Sequence, residues 1–214
     1  MQQIKAIIFD MDGVILDSES ISDRTWAITQ KEMGVTTDKD YINMCRGTNH
    51  NDTLQILRDV FGADFDAEKY MQRCVDLFYQ IEDTEGIPLM PYAKEILEYL
   101  APRYILALAS STNGRAVKRQ LTNTGVIDYF KTRTTGDQVV HSKPDPEIYL
   151  IACRSLGLEP AECVAVEDSP NGIRSAYAAG MPVIMVPDKI APTPELEAMC
   201  WKICPSLKTL AEFL

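Results

Sequence analysis

The chain has little positive charge for its 214 residues: 21 Lys and Arg stand against 31 Asp and Glu, a formal net charge of −10. An acidic surface does not attract nucleic acid or an anionic membrane, so neither is expected as a partner. Histidine is scarce, at two residues, and the six cysteines form no C-x-x-C pair. Cys200 and Cys204 are close in sequence but have no His beside them. The thiols therefore read as buried or incidental rather than zinc-bound. No apolar run approaches the ~18 residues of a membrane span. Asp10 interrupts the first apolar run, so a secretory signal is not expected either. Internal repeats and low-complexity segments are also missing. The expectation is a soluble, cytoplasmic protein with reduced thiols.

What remains is an ordinary globular composition, 46% hydrophobic and 24% charged. Taking ~150 residues per domain, the length suits one large domain or one domain carrying an insertion. Short, near-continuous apolar runs at 4–9, 104–109, 163–166 and 183–186 have the character of strands buried on both faces of a parallel sheet. A weaker run at 129–134 predicts a fifth strand. Helical patterns fill the intervals at 91–100, 113–124, 146–156 and 170–179. Three open beside Pro91, Pro146 or Pro170, and three close on Gly125, Gly157 or Gly180, the usual start and stop signals. Such alternation predicts an α/β fold with a doubly wound parallel sheet.

One interval breaks this rhythm. The stretch from Phe9 to Tyr104 far exceeds the ~10–12 residues that a crossover with its helix needs. Residues 18–86 are therefore expected to be an inserted helical unit, with Trp26, Leu54, Leu57, Tyr70, Cys74, Leu77 and Ile81 at approximately helical spacing. The α/β core would comprise 1–17 and 87–214.

The polar residues of interest follow the predicted strands. Asp10 and Asp12 come after the first, Ser110 and Ser111 after the second, and Glu167 and Asp168 after the strand at 163–166. Lys143 precedes the helix that leads into that last strand. Individually these are weak signals: Asp12-Gly13 is a turn pair, Ser110 suits a helix cap, and a lysine before proline suits a loop. Together they occupy one edge of an open α/β sheet, where ligands bind. Clustered acids there repel one another unless a cation is bound, and oxygen-only ligands favour Mg²⁺.

Phe9-Asp10-Met11-Asp12-Gly13-Val14, the Ser110 cluster, Ser142-Lys143-Pro144 and Val166-Glu167-Asp168-Ser169 resemble the four ordered motifs of the haloacid dehalogenase (HAD) superfamily. The likeness covers essentially the whole chain and is strongest to the branch holding β-phosphoglucomutases and sugar-phosphate phosphatases. It implies a Rossmann-like core with an α-helical cap. It also implies that Asp10 is a nucleophile forming an aspartyl-phosphate and that Asp12 is general acid and then base. Ser110, Lys143 and backbone N–H groups, those of Ser111 and Thr112 among them, would hold the phosphoryl oxygens. Asp10, the main-chain carbonyl of Asp12, Glu167 and Asp168 would hold Mg²⁺.

Dehalogenases need no protonated leaving oxygen, so Asp12 favours phosphoryl transfer within the superfamily. A receiver-type phospho-acceptor would share the acids, hydroxyl and lysine, but should be ~120 residues without a cap. Mutases of this branch carry a His twelve residues after the nucleophile, where this chain has Ser22. Their cap has Lys-Gly followed by an Arg for the second phosphate; the segment here is Arg46-Gly47-Thr48-Asn49-His50. Imidazole is a poorer phosphate clamp than guanidinium. The reading is thus a phosphatase for a small sugar or polyol phosphate, acting as a monomer, with Arg46 and His50 as substrate contacts. A phosphohexomutase is the alternative.

Overall fold

The computed structural model describes residues 3–46 and 50–214. Gly47, Thr48 and Asn49, central to the cap segment compared with mutases, lie outside the described residues. The chain divides into two compact units, Met1–Asp17 with Ile87–Leu214, and Ser18–Gly86.

After strand β1 (Ala6–Phe9), the second unit supplies four helices: α1 (Ser18–Glu32), α2 (Tyr41–Cys45), α3 (His50–Phe61) and α4 (Ala67–Glu85). Asp40 and Asp66 cap α2 and α4 by accepting the N–H groups of Asn43 and Lys69. The unit has its own core, in which Tyr41, Leu57 and Tyr70 pack with Trp26, Phe61 and Phe65. The two buried phenols share a 2.8 Å hydrogen bond, which satisfies polar groups that burial would otherwise penalise. Trp26 packs 5.7 Å from Tyr41 and 5.9 Å from Tyr70, ring to ring. It is a core residue here.

The first unit continues with α5 (Ala93–Leu100), β2 (Ile105–Ser110), α6 (Gly114–Asn123), β3 (Thr132–Thr135), α7 (Glu147–Leu156) and β4 (Cys163–Glu167). It ends with α8 (Pro170–Ala178), β5 (Val183–Met185), α9 (Pro194–Met199) and β6 (Lys202–Ile203). The strands form a six-stranded parallel sheet in the order β3-β2-β1-β4-β5-β6. Every residue of β1 is buried, as its unbroken apolar run requires. Ala6 and Ile8 face one layer with Ala107, Ala109, Cys163 and Ala165, against Ile148, Tyr149 and Ala152 of α7 and Ile173 and Ala176 of α8. The order reverses between β1 and β4, and the crevice at that reversal opens at the strands' carboxyl ends.

Local details depart from the sequence expectations. Ser110 and Glu167 are the last residues of their strands rather than the first beyond them. The run at 129–134 divides, a 3₁₀ turn at Ile127–Tyr129 preceding β3. Pro91 does not open α5, because Tyr92 adopts a left-handed φ of 67° at the N-cap and turns the chain first. The two-residue β6 was too short to announce itself by periodicity. All six cysteines are free thiols. Among the described residues no helix is long and apolar enough to cross a membrane.

Gly136, just past β3, donates its N–H to the Thr112 carbonyl at 3.0 Å and so ties β3 to the turn after β2. A Cβ there would lie 2.0 Å from the Ser111 carbonyl oxygen, a backbone atom that cannot swing aside. Gly136→Ala is therefore expected to destabilise the protein by about 1–3 kcal/mol, read as a lower midpoint in urea denaturation. An unchanged midpoint would contradict this close approach.

Candidate active site

Register brings the sequence-distant acids together. Asp10 leaves β1 with its N–H bonded to the Val166 carbonyl at 2.9 Å, which sets it beside Glu167 at the end of β4. Lys143 reaches the same point from the loop before α7. Its Nζ lies 2.6 Å from Asp10 Oδ1, 2.6 Å from Glu167 Oε1 and 3.1 Å from the Ala109 carbonyl. Three acceptors thus meet the three hydrogens of one buried ammonium.

Glu167 is fully buried and held from several sides. Tyr149 donates its hydroxyl to Oε1 at 2.7 Å, while the Ser169 hydroxyl donates to Oε2 at 3.1 Å. Ser169 also caps α8 by accepting the Gly172 N–H. A Cβ at Gly172 would fall 1.9 Å from Glu167 Oε1, so glycine allows the helix to approach the carboxylate this closely. Gly13 plays the same part for Asp168. Its φ is +75°, and a Cβ there would stand 2.3 Å from Asp168 Oδ2. The Asp12-Gly13 pair is a turn, as its sequence suggests, but that turn makes room for an acid.

On the β2 side, Asp12 Oδ2 accepts the Thr112 hydroxyl at 2.9 Å and lies 3.5 Å from Ser110 Oγ. Thr112 N–H donates to Ser110 Oγ at 3.1 Å, so this expected phosphate donor is engaged by a neighbour. Ser111 lies on the exposed turn that follows. Asp10, Asp12, Ser110, Lys143, Glu167 and Asp168 therefore share one strand edge. Arg46 and His50 belong to the other unit, each beside acids of that unit. The Arg46 guanidinium pairs with Glu19 at 2.6 Å and with Asp23, and exposed His50 lies 3.4 Å from Glu68. An incoming phosphate at Arg46 would compete with two carboxylates already in place.

Sequence reasoning missed Tyr149, and it missed the side-chain contacts of Ser169 and Thr112. Tyr149 lies six residues past Lys143 on the apolar stripe of α7, where its ring reads as packing. Only its depth reveals the hydroxyl's partner. Thr112 was visible as a backbone donor, whereas its side chain makes the contact that matters.

Charge is the controlling electrostatic fact. Burial raises the Asp10 carboxyl to about 7; Lys143 opposes this, while Glu167 and Asp12 add to it. For Lys143, burial works against the ammonium, but Asp10 and Glu167 outweigh it and hold the lysine protonated. Lys143 is shared between two of these carboxylates, Asp10 and Glu167. Asp10, Glu167 and Asp168 each offer an oxygen, all within 4.8 Å of one another. The donors are carboxylates only, which suits a hard cation of the Mg²⁺ kind. The residues fit that ion.

Comparison with known proteins gives the class. The family model of haloacid dehalogenase-like hydrolases matches residues 7–186, and the chain belongs to that family. It is 31% identical to the phosphorylated carbohydrates phosphatase of Thermotoga maritima, over 83% of this chain and 82% of that one. Hexitol phosphatase B of Escherichia coli is also 31% identical, over 87% of this chain and 85% of that protein. Among solved structures, CbbY of Rhodobacter sphaeroides in complex with phosphate superposes with a TM-score of 0.77 at 25% identity, over 97% of this chain and 96% of that one.

A cation that binds only the folded cluster must stabilise the fold. At one hundred times its dissociation constant, Mg²⁺ is expected to add about 2.7 kcal/mol, several degrees of melting temperature at this length. Calorimetric melting with Mg²⁺ and then with EDTA checks this, and Asp168→Asn should reduce the shift. Identical melting with and without the metal would contradict the assignment of the cluster as a cation site.

Proposed function

We propose that this HAD-type phosphatase hydrolyses a small sugar or polyol monophosphate through an aspartyl-phosphate on Asp10, with Mg²⁺ as cofactor. The observation that carries the reading is Lys143 Nζ, 2.6 Å from both Asp10 and Glu167 at the switch point of the sheet. A buried ammonium beside a buried carboxylate offers a nucleophile and a phosphoryl-oxygen donor within one contact distance. The two curated relatives described above, both named as phosphatases of carbohydrate or hexitol phosphates, support the substrate class.

The chain's residues divide the chemistry between them. Asp10 attacks phosphorus, forming a P–O bond as the ester P–O bond breaks. Asp12 gives its proton to the departing alcohol oxygen, then takes one from the water that attacks the phosphoenzyme. Breakdown returns the electron pair of the acyl-phosphate bond to Asp10 and releases inorganic phosphate. Lys143 and Ser110 stabilise charge on the non-bridging oxygens in this reading. Asp10, the Asp12 carbonyl, Glu167 and Asp168 would hold Mg²⁺, which when bound supplies positive charge to the phosphoryl group. Water is the acceptor in this reading because Ser22 stands where the mutases have their His.

The experiment is a panel of hexose, pentose, hexitol and nucleoside monophosphates assayed for phosphate release with Mg²⁺ and with EDTA. Metal-dependent release concentrated on sugar or polyol phosphates is expected. Conversion of β-glucose 1-phosphate to glucose 6-phosphate without free phosphate would identify a mutase and overturn the reading. Asp10→Asn should lower turnover at least about 10⁴-fold, because an amide cannot form the acyl-phosphate. Given p-nitrophenyl phosphate, whose leaving group has little need of the proton, Asp12→Asn should instead accumulate protein carrying one phosphate on Asp10, seen by mass spectrometry. A wholly unmodified Asp12→Asn protein after substrate addition would count against both roles.

A further inference from the structure

Thr112 joins two parts of the site that lie 100 positions apart in the chain, since its hydroxyl donates to Asp12 Oδ2 at 2.9 Å. Its own backbone is fixed on both sides. The N–H donates to Ser110 Oγ at 3.1 Å, and the carbonyl accepts from Gly136 N at 3.0 Å. Gly136 is in turn packed so closely on Ser111 that no Cβ fits between them. Ser110 Oγ also faces Asp12 Oδ2, but at 3.5 Å it is at the outer limit of a hydrogen bond. Thr112 is therefore the closer hydroxyl on this oxygen, delivered from a turn that is itself tied down.

The direction of the bond has a chemical consequence. A hydroxyl donor bonds the unprotonated oxygen of a carboxylic acid. With Thr112 on Oδ2, the proton that Asp12 delivers is carried by Oδ1. We propose that Thr112 is a positioning residue for the acid–base step: it fixes the Asp12 carboxyl through Oδ2 and so presents Oδ1 to the leaving oxygen. This rests on the assignment of Asp10 as nucleophile and Asp12 as acid. In that step the Asp10–phosphorus bond forms and the ester P–O bond breaks. The electron pair goes to the alcohol oxygen, which takes the proton from Asp12 Oδ1.

Leaving-group chemistry separates this role from a structural one. A sugar or polyol oxygen departs poorly as an alkoxide and needs the proton. Nitrophenol departs as a stabilised phenolate and needs it far less. The ratio kcat/KM ends at the first irreversible step, release of the alcohol, so later breakdown of the phosphoenzyme does not enter it. An acid that is present but misaligned must therefore lower kcat/KM selectively for alkyl phosphates. General damage to the site lowers alkyl and aryl esters together.

The test measures kcat/KM for p-nitrophenyl phosphate and for the alkyl phosphate hydrolysed fastest in the panel, at one pH and one Mg²⁺ concentration. Thr112→Val keeps the shape and removes the donor, and should lower the alkyl-to-aryl ratio about tenfold, a part of the ~10²–10⁴ that acid–base catalysis supplies. Thr112→Ser keeps the hydroxyl and should hold the ratio within about twofold of the parent. Asp12→Asn should lower it further than Thr112→Val, and Thr112→Ala should repeat the valine result if valine disturbs the turn. A ratio unchanged in both Thr112→Val and Thr112→Ala, with Asp12→Asn lowering it, overturns the positioning role and leaves the acid intact. A ratio unchanged in Asp12→Asn overturns the acid assignment itself.

Discussion

The site is organised around one buried ammonium. Lys143 Nζ stands between Asp10 and Glu167, with its side chain 7% exposed and theirs 10% and 0%. Removing one partner from such a pair costs about 3–5 kcal/mol, because the charge left behind has no water to solvate it. Lys143 therefore holds its acids in register. A divalent cation held by Asp10, Glu167 and Asp168 would, with the lysine, make a local cationic spot on a chain whose net charge is −10.

Backbone, more than side chains, sets how closely these groups can meet. Gly13 admits Asp168, Gly172 brings α8 against Glu167, and Gly136 brings the end of β3 against the turn after β2. Each is a place where even a methyl group would collide. The parallel sheet supplies the other half of the constraint: Phe9 pairs with Leu108 on one side and Val166 on the other, so the residues that follow converge by register. Substituting any of these glycines acts on the chemistry through distance, without removing a functional group.

Much of this was legible in the sequence because it depends on pattern. Fully apolar runs identify strands buried on both faces, and an interval too long for a crossover points to inserted material between 18 and 86. The motif residues Asp10, Ser110, Lys143 and Glu167 share an edge because strands of one parallel sheet end together. Depth and side-chain direction were not legible. Tyr149 has the periodicity of a core residue and is one, yet its hydroxyl reaches Glu167. Thr112 is legible as a backbone donor, but its hydroxyl finds Asp12 only once the turn is folded. Arg46 reads as a free cation, but the fold of its own unit sets it between Glu19 and Asp23. Nothing in local periodicity encodes those tertiary pairings.

The central claim is that phosphate leaves in two displacements through Asp10 rather than one by water. The stereochemical course at phosphorus tests that directly. Each in-line displacement inverts the centre, so two restore it. Hydrolysis of a phosphorothioate ester made chiral at phosphorus with sulfur and two oxygen isotopes, in water carrying the third isotope, should give chiral inorganic thiophosphate with retained configuration. Inverted configuration would mean a single attack by water, with no covalent intermediate on Asp10, and would contradict the account at its foundation.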